Sequence, residues 1–377
     1  MLPIRLIAAT DGAWDDVLSR TDHDLYHTSR YHRMWEHAGV PYLAVCGDRD
    51  RFLAWPFLLS PIDAGRRRNG TEWLDVTAVY GYGGPVARNC EPGDEFTAEA
   101  FEAITREWRS LGVVSAFTRF NPLLENHRWV TPASGFPGLW PIGDTVSIDL
   151  LLSHEEVQKG YRRSVRQQVR QARANGLVSS TDEGWNYLEA FVRLLHQTMD
   201  RNRASSEFYL PSEFFRQLRA FFPRDLSLRV ASCGPYPESA GVFLEYRGIM
   251  HALYIGNSSE AACCHATKLL IDDAQQWARE RGARVLHLGG GRGARNDDSL
   301  FYFKSGFSHR RHPFYVGGWV LDPARYNYLA EARMECALRA GSTLDPDFFP
   351  AYRSPFATSQ ECGRPNAAVS SAAACTN

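Results

Sequence analysis

The sequence predicts a mixed α/β protein of two domains, and three observations lead to this prediction. A chain of 377 residues with 44% hydrophobic content can bury a sizeable core and is longer than one average domain. Strand-like and amphipathic helical patterns alternate along it. The order of these elements in the second half repeats that of the first, although no sequence period is apparent. We therefore predict domains over 1–150 and 151–345, followed by a disordered tail over 346–377.

The first half is predicted to fold as a helical stretch, a hairpin, a charged loop, a strand, a helix and a strand. These elements cover residues 11–39, 42–46 with 51–59, 66–70, 72–79, 96–111 and 113–117. Between the strand and the helix lies Tyr80-Gly-Tyr-Gly-Gly-Pro85, a glycine-rich turn that no regular element can absorb.

The second half begins with a predicted strand over 144–150. Ser153 and Glu156 then form a capping-box pattern that opens one helix running to about residue 175. Two helices, three strands, a helix and a strand are predicted to follow. They cover residues 185–199, 212–221, 228–233, 240–246, 250–254, 265–281 and 284–288.

Charge and composition exclude several classes of protein. With 42 basic and 43 acidic residues the net charge is -1, so the chain does not coat nucleic acid through its overall charge, and any polyanion site must be local. We find no export signal, and no apolar run approaches the ~20 residues that span a bilayer. The eight cysteines lack C-x-x-C spacing. Four of the twelve histidines, His23, His27, His32 and His37, are four or five residues apart but lack convergent carboxylates or cysteines. Neither group supports a metal site. We expect a cytoplasmic protein without a metal.

The segment over 159–173 concentrates positive charge. It holds six basic residues and no acid, while apolar residues recur every three or four positions, so that one helix face packs inward and arginines line another. Two interpretations remain open: a solvated helix face, or a docking face for the phosphates of a nucleotide, a coenzyme or RNA. The absence of interleaved acids favours the second.

The segment over 284–307 runs from a strand into a glycine loop and a short aromatic helix that carries Lys304. The loop lacks both the G-x-G-x-x-G spacing of a dinucleotide site and the G-K-[ST] ending of a P-loop. Lys304 is one of only three lysines in the chain. It either pairs with Asp297 or Asp298, or supplies a cation that stabilises an oxyanion or binds a phosphate.

Taken together, the segments 80–85, 161–176 and 288–307 resemble the Fem-type branch of the GNAT-like N-acyltransferases, and the resemblance covers roughly residues 20–330. It implies two tandem GNAT-like domains with mixed twisted sheets and flanking helices, and ligand sites in the cleft between them. Fem-type proteins transfer an aminoacyl group from aminoacyl-tRNA to an amine of a peptidoglycan precursor or a small peptide-like natural product. Other relatives use acyl-CoA or acyl carriers.

The resemblance also implies roles for individual residues. Lys304 matches the family lysine that stabilises the oxyanion, and Phe303 matches its aromatic neighbour. The proton acceptor stays open between Asp297, Asp298 and the substrate itself. Arg163 and Arg166 match the basic helix that meets the donor phosphates, and we assign Arg162 and Arg170 on the same helix to this role as well. Beyond the resemblance, we assign contacts with the acceptor to Tyr80, Tyr82 and Tyr254, with an ordinary packing role of these aromatic residues as the alternative.

Two departures from the family refine the expectation. The chain between the basic helix and residue 228 is too short for a long coiled-coil arm, so we predict an armless form. The Q/R-x-x-G-x-G/A pyrophosphate loop is absent before the helix over 265–281, which favours aminoacyl-tRNA over acyl-CoA as the donor. The leading hypothesis is therefore an aminoacyl-tRNA-dependent transferase with a small peptide-like or cell-wall amine as acceptor, no other cofactor and no DNA partner. An acyl-CoA N-acyltransferase and a non-catalytic RNA-binding or assembly protein are the alternatives.

Overall fold

The computed structural model describes residues 2–62, 72–130, 138–260 and 264–357. The predicted charged loop over 66–70 lies outside these residues. The chain divides into unit 1, Met1–Gly143 with Pro313–Asn377, and unit 2, Asp144–His312. The predicted boundary at residue 345 is therefore wrong, because the chain returns to unit 1 at residue 313.

The described residues form a mixture of helices and strands, as predicted. The α-helices are α1 Ala13–Leu18, α2 Ser29–Arg33, α3 Glu95–Ser110, α4 His154–Gly160, α5 Arg163–Ala174, α6 Leu188–Asn202, α7 Ser212–Phe221, α8 Ala266–Glu280, α9 Ser299–Lys304 and α10 Pro323–Arg339. The strands are β1 Ile4–Ala8, β2 Val40–Gly47, β3 Phe52–Pro61, β4 Leu74–Thr77, β5 Val86–Arg88, β6 Val113–Arg119, β7 Leu139–Asp149, β8 Val178–Thr181, β9 Leu226–Ser232, β10 Pro237–Tyr246, β11 Ile249–Asn257, β12 Val285–Gly289, β13 Arg310–Val320, β14 Thr343–Leu344 and β15 Phe356–Ala357.

The sheet of unit 1 has the strand order β1-β2-β3-β4-β6-β13. All neighbours are antiparallel except β4 and β6, which are parallel. The short strand β5 pairs with the start of β3. One face of this sheet is closed by α3, whose Phe101, Ile104 and Trp108 recur at helical spacing and are fully buried with Trp55.

The sheet of unit 2 repeats this arrangement with the order β8-β9-β10-β11-β12-β7. Its neighbours are antiparallel except for the parallel pair β11 and β12. The predicted repeat of element order is thus confirmed at the level of strand order and direction. The last strand of each sheet comes from the other half of the sequence. Strand β7 lies in the first half, but its residues 146–149 pair with β12 of unit 2. Strand β13 lies in the second half, but its residues 316–320 pair with β6 of unit 1.

Helices cover both faces of the unit 2 sheet. On one face α5, α8 and α9 bury a shared core that includes Val165, Val169, Leu269 and Phe301. On the other, α6 packs against β10 and β11, and Gly256 lets the α6 backbone approach so closely that a Cβ there would overlap Leu195. Since α6 has 15 residues and α7 has 10, the prediction of an armless form is confirmed. No helix of the described residues is both long and apolar enough to cross a bilayer.

Part of the predicted tail is folded. Phe348 and Tyr352 are buried, and the Nε atom of Arg353 lies 2.5 Å from the Oδ2 atom of the buried Asp75. The prediction of disorder is therefore wrong for 346–357, because these residues supply the partners of a carboxylate inside unit 1. Residues 358–377 lie outside the described part of the chain.

Candidate active site

The glycine loop of unit 2 connects the end of β12 to α9. Asp298 caps α9, and its Oδ1 atom accepts hydrogen bonds from the backbone N–H groups of Leu300 (2.6 Å) and Phe301 (2.9 Å). A Cβ at Gly291 would overlap both the Oδ2 atom of Asp298 and the carbonyl oxygen of Arg295. The loop can therefore lie against the cap of α9 only if residue 291 is glycine.

Lys304 is the last residue of α9 and is partly buried. Its Nζ atom donates a hydrogen bond of 2.6 Å to the carbonyl oxygen of Gly290. Burial lowers the pKa of Lys304 to about 8, and the negative charge of Asp298 opposes this shift. The ammonium is thus held against the glycine loop and stays mostly charged at neutral pH.

The two carboxylates that were candidates for the partner of Lys304 differ in their surroundings. Asp297 is exposed and binds the guanidinium of Arg295, with Nε to Oδ1 at 2.8 Å, and this pair lowers the pKa of Asp297. Asp298 influences Lys304 through its charge, and its buried Oδ2 atom has no hydrogen-bond partner among the described residues. Asp298, and not Asp297, therefore belongs to the surroundings of Lys304.

A second lysine borders the same aromatic residue. The Nζ atom of Lys268, in the first turn of α8, lies 5.5 Å from the ring centroid of Phe303, which precedes Lys304. Phe303 in turn contacts Phe307 edge to face at 5.4 Å. Burial lowers the pKa of Lys268, and it forms no ion pair with a carboxylate of the described chain. Sequence reasoning missed this residue, although the scarcity of lysine in the chain was a signal that could have found it.

The basic segment forms two helices, not the single predicted one, because the backbone is extended at Tyr161 and Arg162 between α4 and α5. The backbone N–H of Arg162 donates to the carbonyl oxygen of Gly306 at 2.7 Å. Its guanidinium lies 3.9 Å from the ring centroid of Tyr302 and donates to Ser305 Oγ at 3.2 Å. Arg162 therefore fastens the start of α5 to α9.

Other arginines of this segment are also engaged within the protein. The Nη1 atom of Arg166 donates to the carbonyl oxygens of Lys159 (2.8 Å) and Tyr161 (2.7 Å), which satisfies the end of α4. Arg173 pairs at 2.8 Å with Asp272, whose side chain is fully buried.

The remaining two predicted phosphate ligands, Arg163 and Arg170, are exposed and form no ion pair with any described carboxylate. Of the four arginines assigned to the donor, these two are free of the intramolecular bonds that hold Arg162 and Arg166. They remain the arginines of α5 that are open to a polyanion.

The glycine-rich turn 80–85 lies in unit 1 and is fixed by side chains. The Nδ2 atom of Asn126 donates to the carbonyl oxygens of Gly83 (2.8 Å) and Pro85 (3.0 Å). Asn121 donates to the carbonyl oxygen of Tyr82 at 3.2 Å and to Asp24 Oδ2 at 2.7 Å. The turn is therefore held in one conformation by buried polar groups.

The three tyrosines assigned to the acceptor have different surroundings. Tyr80 lies 5.7 Å from the guanidinium of the buried Arg119, and the ring of Tyr82 stands edge-on to Tyr26 at 5.4 Å. Tyr254 belongs to unit 2, where its ring packs edge-on against aromatic residues of α7, Phe214 and Phe215. The acceptor role of all three stays a prediction. Among the described residues no group of three histidine, cysteine or acidic side chains is placed to hold a metal ion.

Comparison with known proteins supports this description. The sequence profile described as "Acetyltransferase (GNAT) domain" matches residues 159–316. A curated relative, the UDP-N-acetylmuramoylpentapeptide-lysine N(6)-alanyltransferase of Weissella viridescens, is 24% identical over 174 residues, which is 45% of this chain and 51% of the relative. The chain thus spans about half the length of the curated relative that it matches.

Two solved structures share the fold over most of the chain. The crystal structure of FemX has a TM-score of 0.62 and 12% identity, and covers 86% of this chain and 99% of its own. The C-terminal domain of a putative lysylphosphatidylglycerol synthetase from Agrobacterium fabrum has a TM-score of 0.52 and 14% identity, and covers 83% and 91%. With its two units of the same strand order, the chain shares its fold with FemX, and residues 159–316 match the GNAT profile, so the chain is similar to Fem-type proteins of the GNAT superfamily.

Proposed function

We propose that this protein is an aminoacyl-tRNA-dependent aminoacyltransferase that forms an amide bond on the amine of a cell-wall precursor or a small peptide-like natural product. The observation that carries the proposal is the partly buried ammonium of Lys304, held against the Gly290 carbonyl beside the capped start of α9. The curated relative is by name an alanyltransferase that acts on a muramoylpentapeptide lysine, which supports a peptide-like amine as the acceptor.

The reaction needs few catalytic groups. The amine nitrogen of the acceptor attacks the ester carbonyl carbon of the donor, an amide C–N bond forms, and the C–O bond to the tRNA ribose breaks. Negative charge develops on the carbonyl oxygen during the attack. The Nζ atom of Lys304 has three N–H donors and uses one on Gly290, so the others are available to stabilise this oxyanion.

Asp298 is the better candidate for the proton acceptor. Its Oδ1 atom caps α9, but its Oδ2 atom is buried and accepts no hydrogen bond from the described residues. Asp297 is already neutralised by Arg295. In this scheme Oδ2 takes a proton from the attacking amine, and that proton then reaches the departing ribose oxygen. Proton transfer through the substrate itself is the alternative.

The aminoacyl donor is inferred from the positive charge on α5. Arg163 and Arg170 project from α5 without carboxylate partners in the described chain, and such residues suit the phosphates of RNA. The helix α8 is preceded by His265 and not by a glycine-rich pyrophosphate loop, which argues against coenzyme A. Since charged tRNA is a cytoplasmic donor, the proposal places the reaction in the cytoplasm and requires no further cofactor.

An acyl-CoA-dependent N-acyltransferase is the second candidate, because the GNAT acetyltransferase profile matches most of unit 2. The two candidates differ in the donor. The test supplies a total pool of tRNA charged with radiolabelled amino acids, together with amine acceptors, with and without ribonuclease. Ribonuclease-sensitive transfer supports the proposal. Release of free thiol from acyl-CoAs, without any transfer from tRNA, would support the second candidate.

A further inference from the structure

A positively charged cavity lies in unit 1, apart from every residue assigned a role above. Its volume is about 420 Å³, and its walls are Arg5, Arg20, Gly47, Asp48 and Arg49. Three arginines and one aspartate therefore border the same space. The three arginines come from separate parts of the sequence. Arg5 belongs to β1, Arg20 is the second residue after α1, and Arg49 lies in the turn between β2 and β3.

The turn that carries Arg49 is fixed in place. Gly47 adopts a φ of +119° and its N–H donates to the carbonyl oxygen of Pro3 at 3.0 Å, which ties the turn to the start of β1. The Oδ1 atom of Asp48 accepts hydrogen bonds from the N–H groups of Asp50 (2.8 Å) and Arg51 (2.9 Å), and these bonds lower the pKa of Asp48. The carboxylate is thus occupied with holding the turn.

The carboxylate of Asp48 offsets one of the three positive charges of the cavity, which leaves a net positive charge. Arg5, Arg20 and Arg49 form no ion pair with a carboxylate of the described residues, whereas the adjacent Arg51 binds Asp94 at 2.6 Å. Guanidinium groups that share one space repel one another, and a bound anion removes this repulsion. Arginine also matches phosphate in geometry, because its parallel N–H groups bind two oxygens at once.

Strand β5 links the glycine-rich turn 80–85 to the region of the cavity. Strand β5 directly follows Pro85 and pairs with the start of β3, next to the turn that holds Arg49. At the end of β5, Arg88 Nη1 donates to the carbonyl oxygen of Arg20 at 3.0 Å. The cavity and the turn that presents Tyr80 and Tyr82 therefore lie at the same end of the unit 1 sheet.

We propose that this cavity is a binding site for the phosphate groups of a substrate, either a diphosphate or the phosphodiesters of RNA. The volume, the three arginines in the lining and the fixed turn fit this class of ligand. Binding of phosphate at the cavity does not depend on the proposed function; only the source of the phosphate rests on it, because an RNA donor and a nucleotide-linked acceptor would both supply such groups.

The first experiment measures the binding of inorganic pyrophosphate to the full chain by calorimetry at low ionic strength. The triple variant Arg5→Gln, Arg20→Gln and Arg49→Gln is compared with a charge-matched control, Arg106→Gln, Arg128→Gln and Arg325→Gln. These control arginines lie elsewhere in unit 1 and pair with carboxylates of their own helix or turn. We expect the cavity variant to lose affinity about tenfold or more and the control to keep it. Equal affinity of the two variants would overturn the proposal.

Two further arms identify the source of the phosphate. If RNA is the ligand, the cavity variant weakens the binding of uncharged tRNA, and the slope of log K against log salt concentration falls by about two to three. If a nucleoside diphosphate is the ligand, the affinity for uridine diphosphate falls instead. A variant at Lys304 should bind pyrophosphate normally, so failure of the transfer reaction and failure of this site are distinguishable. If the triple variant does not fold, the same binding measurement is made on the single variants Arg5→Gln, Arg20→Gln and Arg49→Gln. Unchanged circular dichroism shows that each of them is folded.

Discussion

The ammonium of Lys304 and the carbonyl oxygen of Gly290 form a 2.6 Å hydrogen bond that joins the end of α9 to the glycine loop after β12. This bond fixes the cation beside the three consecutive glycines 289–291, a stretch of backbone without side chains that a substrate carbonyl can approach closely. In this account the capped helix, the loop and the lysine act as one unit that presents positive charge to a developing oxyanion.

The first prediction concerns pH. Because burial lowers the pKa of Lys304 to about 8 and the proposed role needs the charged form, kcat should fall as pH rises through 8. The sign follows from deprotonation, which removes the cation above its pKa. A pH profile of single-turnover transfer measures this. A rate that keeps rising from pH 7 to pH 10 would argue that Lys304 acts as a neutral base.

The second prediction concerns Gly291. In the Gly291→Ala variant the new Cβ would overlap Asp298 Oδ2 and the Arg295 carbonyl, so the loop must move away from α9. We expect kcat to fall by about tenfold or more and stability to fall by about 1–3 kcal/mol. Gly12→Ala is the matched control, since a Cβ there meets no atom within 4 Å. Equal activity of the two variants would show that the loop position is irrelevant to catalysis.

The third prediction concerns Lys268. Its ammonium borders Phe303 and is partly desolvated, so removal of the charge should leave stability intact while it weakens the binding of an anionic donor. We expect Lys268→Met to raise KM for the donor by about tenfold with a smaller change in kcat, and Lys268→Arg to restore most of the loss. Arg193→Met, at an exposed position of α6, serves as the control. If the KM for the donor were unchanged in Lys268→Met, Lys268 would have only a packing role.

The fourth prediction separates two kinds of arginine on α5. The variant Arg163→Gln with Arg170→Gln should weaken tRNA binding and reduce its salt dependence, without a change in Tm, because both side chains are exposed. Arg166→Gln should instead lower stability by about 1–3 kcal/mol, because it leaves the carbonyls at the end of α4 without their donor. Filter binding and thermal unfolding measure the two effects. The opposite pattern would mean that Arg166 faces the donor.

Local signals explain what the sequence could predict. The strand, glycine loop and capped helix around Lys304 lie within 24 consecutive residues, 284–307, and each has its own signature. The basic face of α5 could also be predicted from local sequence. Its buried positions Val165, Val169 and Ala172 recur at helical spacing, which leaves the arginines on another face.

Features that depend on contacts far apart in sequence could not be predicted. The break between α4 and α5 contains neither glycine nor proline, and it is held by Arg162 against Gly306 and Tyr302. The exchange of β7 and β13 between the two halves moves residues 313–345 into unit 1. No periodicity within a segment reveals which distant strand that segment pairs with.

The position of Lys268 beside Phe303 has the same cause. It results from the packing of α8 against α9, and these helices are separated by a strand and a loop. The folded part of the predicted tail is a further example, because Tyr352 and Arg353 meet Asp75 across 277 and 278 positions of the sequence.

The most direct test of the account is transfer of radiolabelled amino acids from charged tRNA to an amine acceptor by the wild type and by Lys304→Met, each with and without ribonuclease. We predict transfer by the wild type that ribonuclease abolishes, and a loss of about 10²–10³ in rate in the variant. Circular dichroism of the variant should match that of the wild type. Ribonuclease-resistant transfer, or full activity of a folded Lys304→Met protein, would contradict the account.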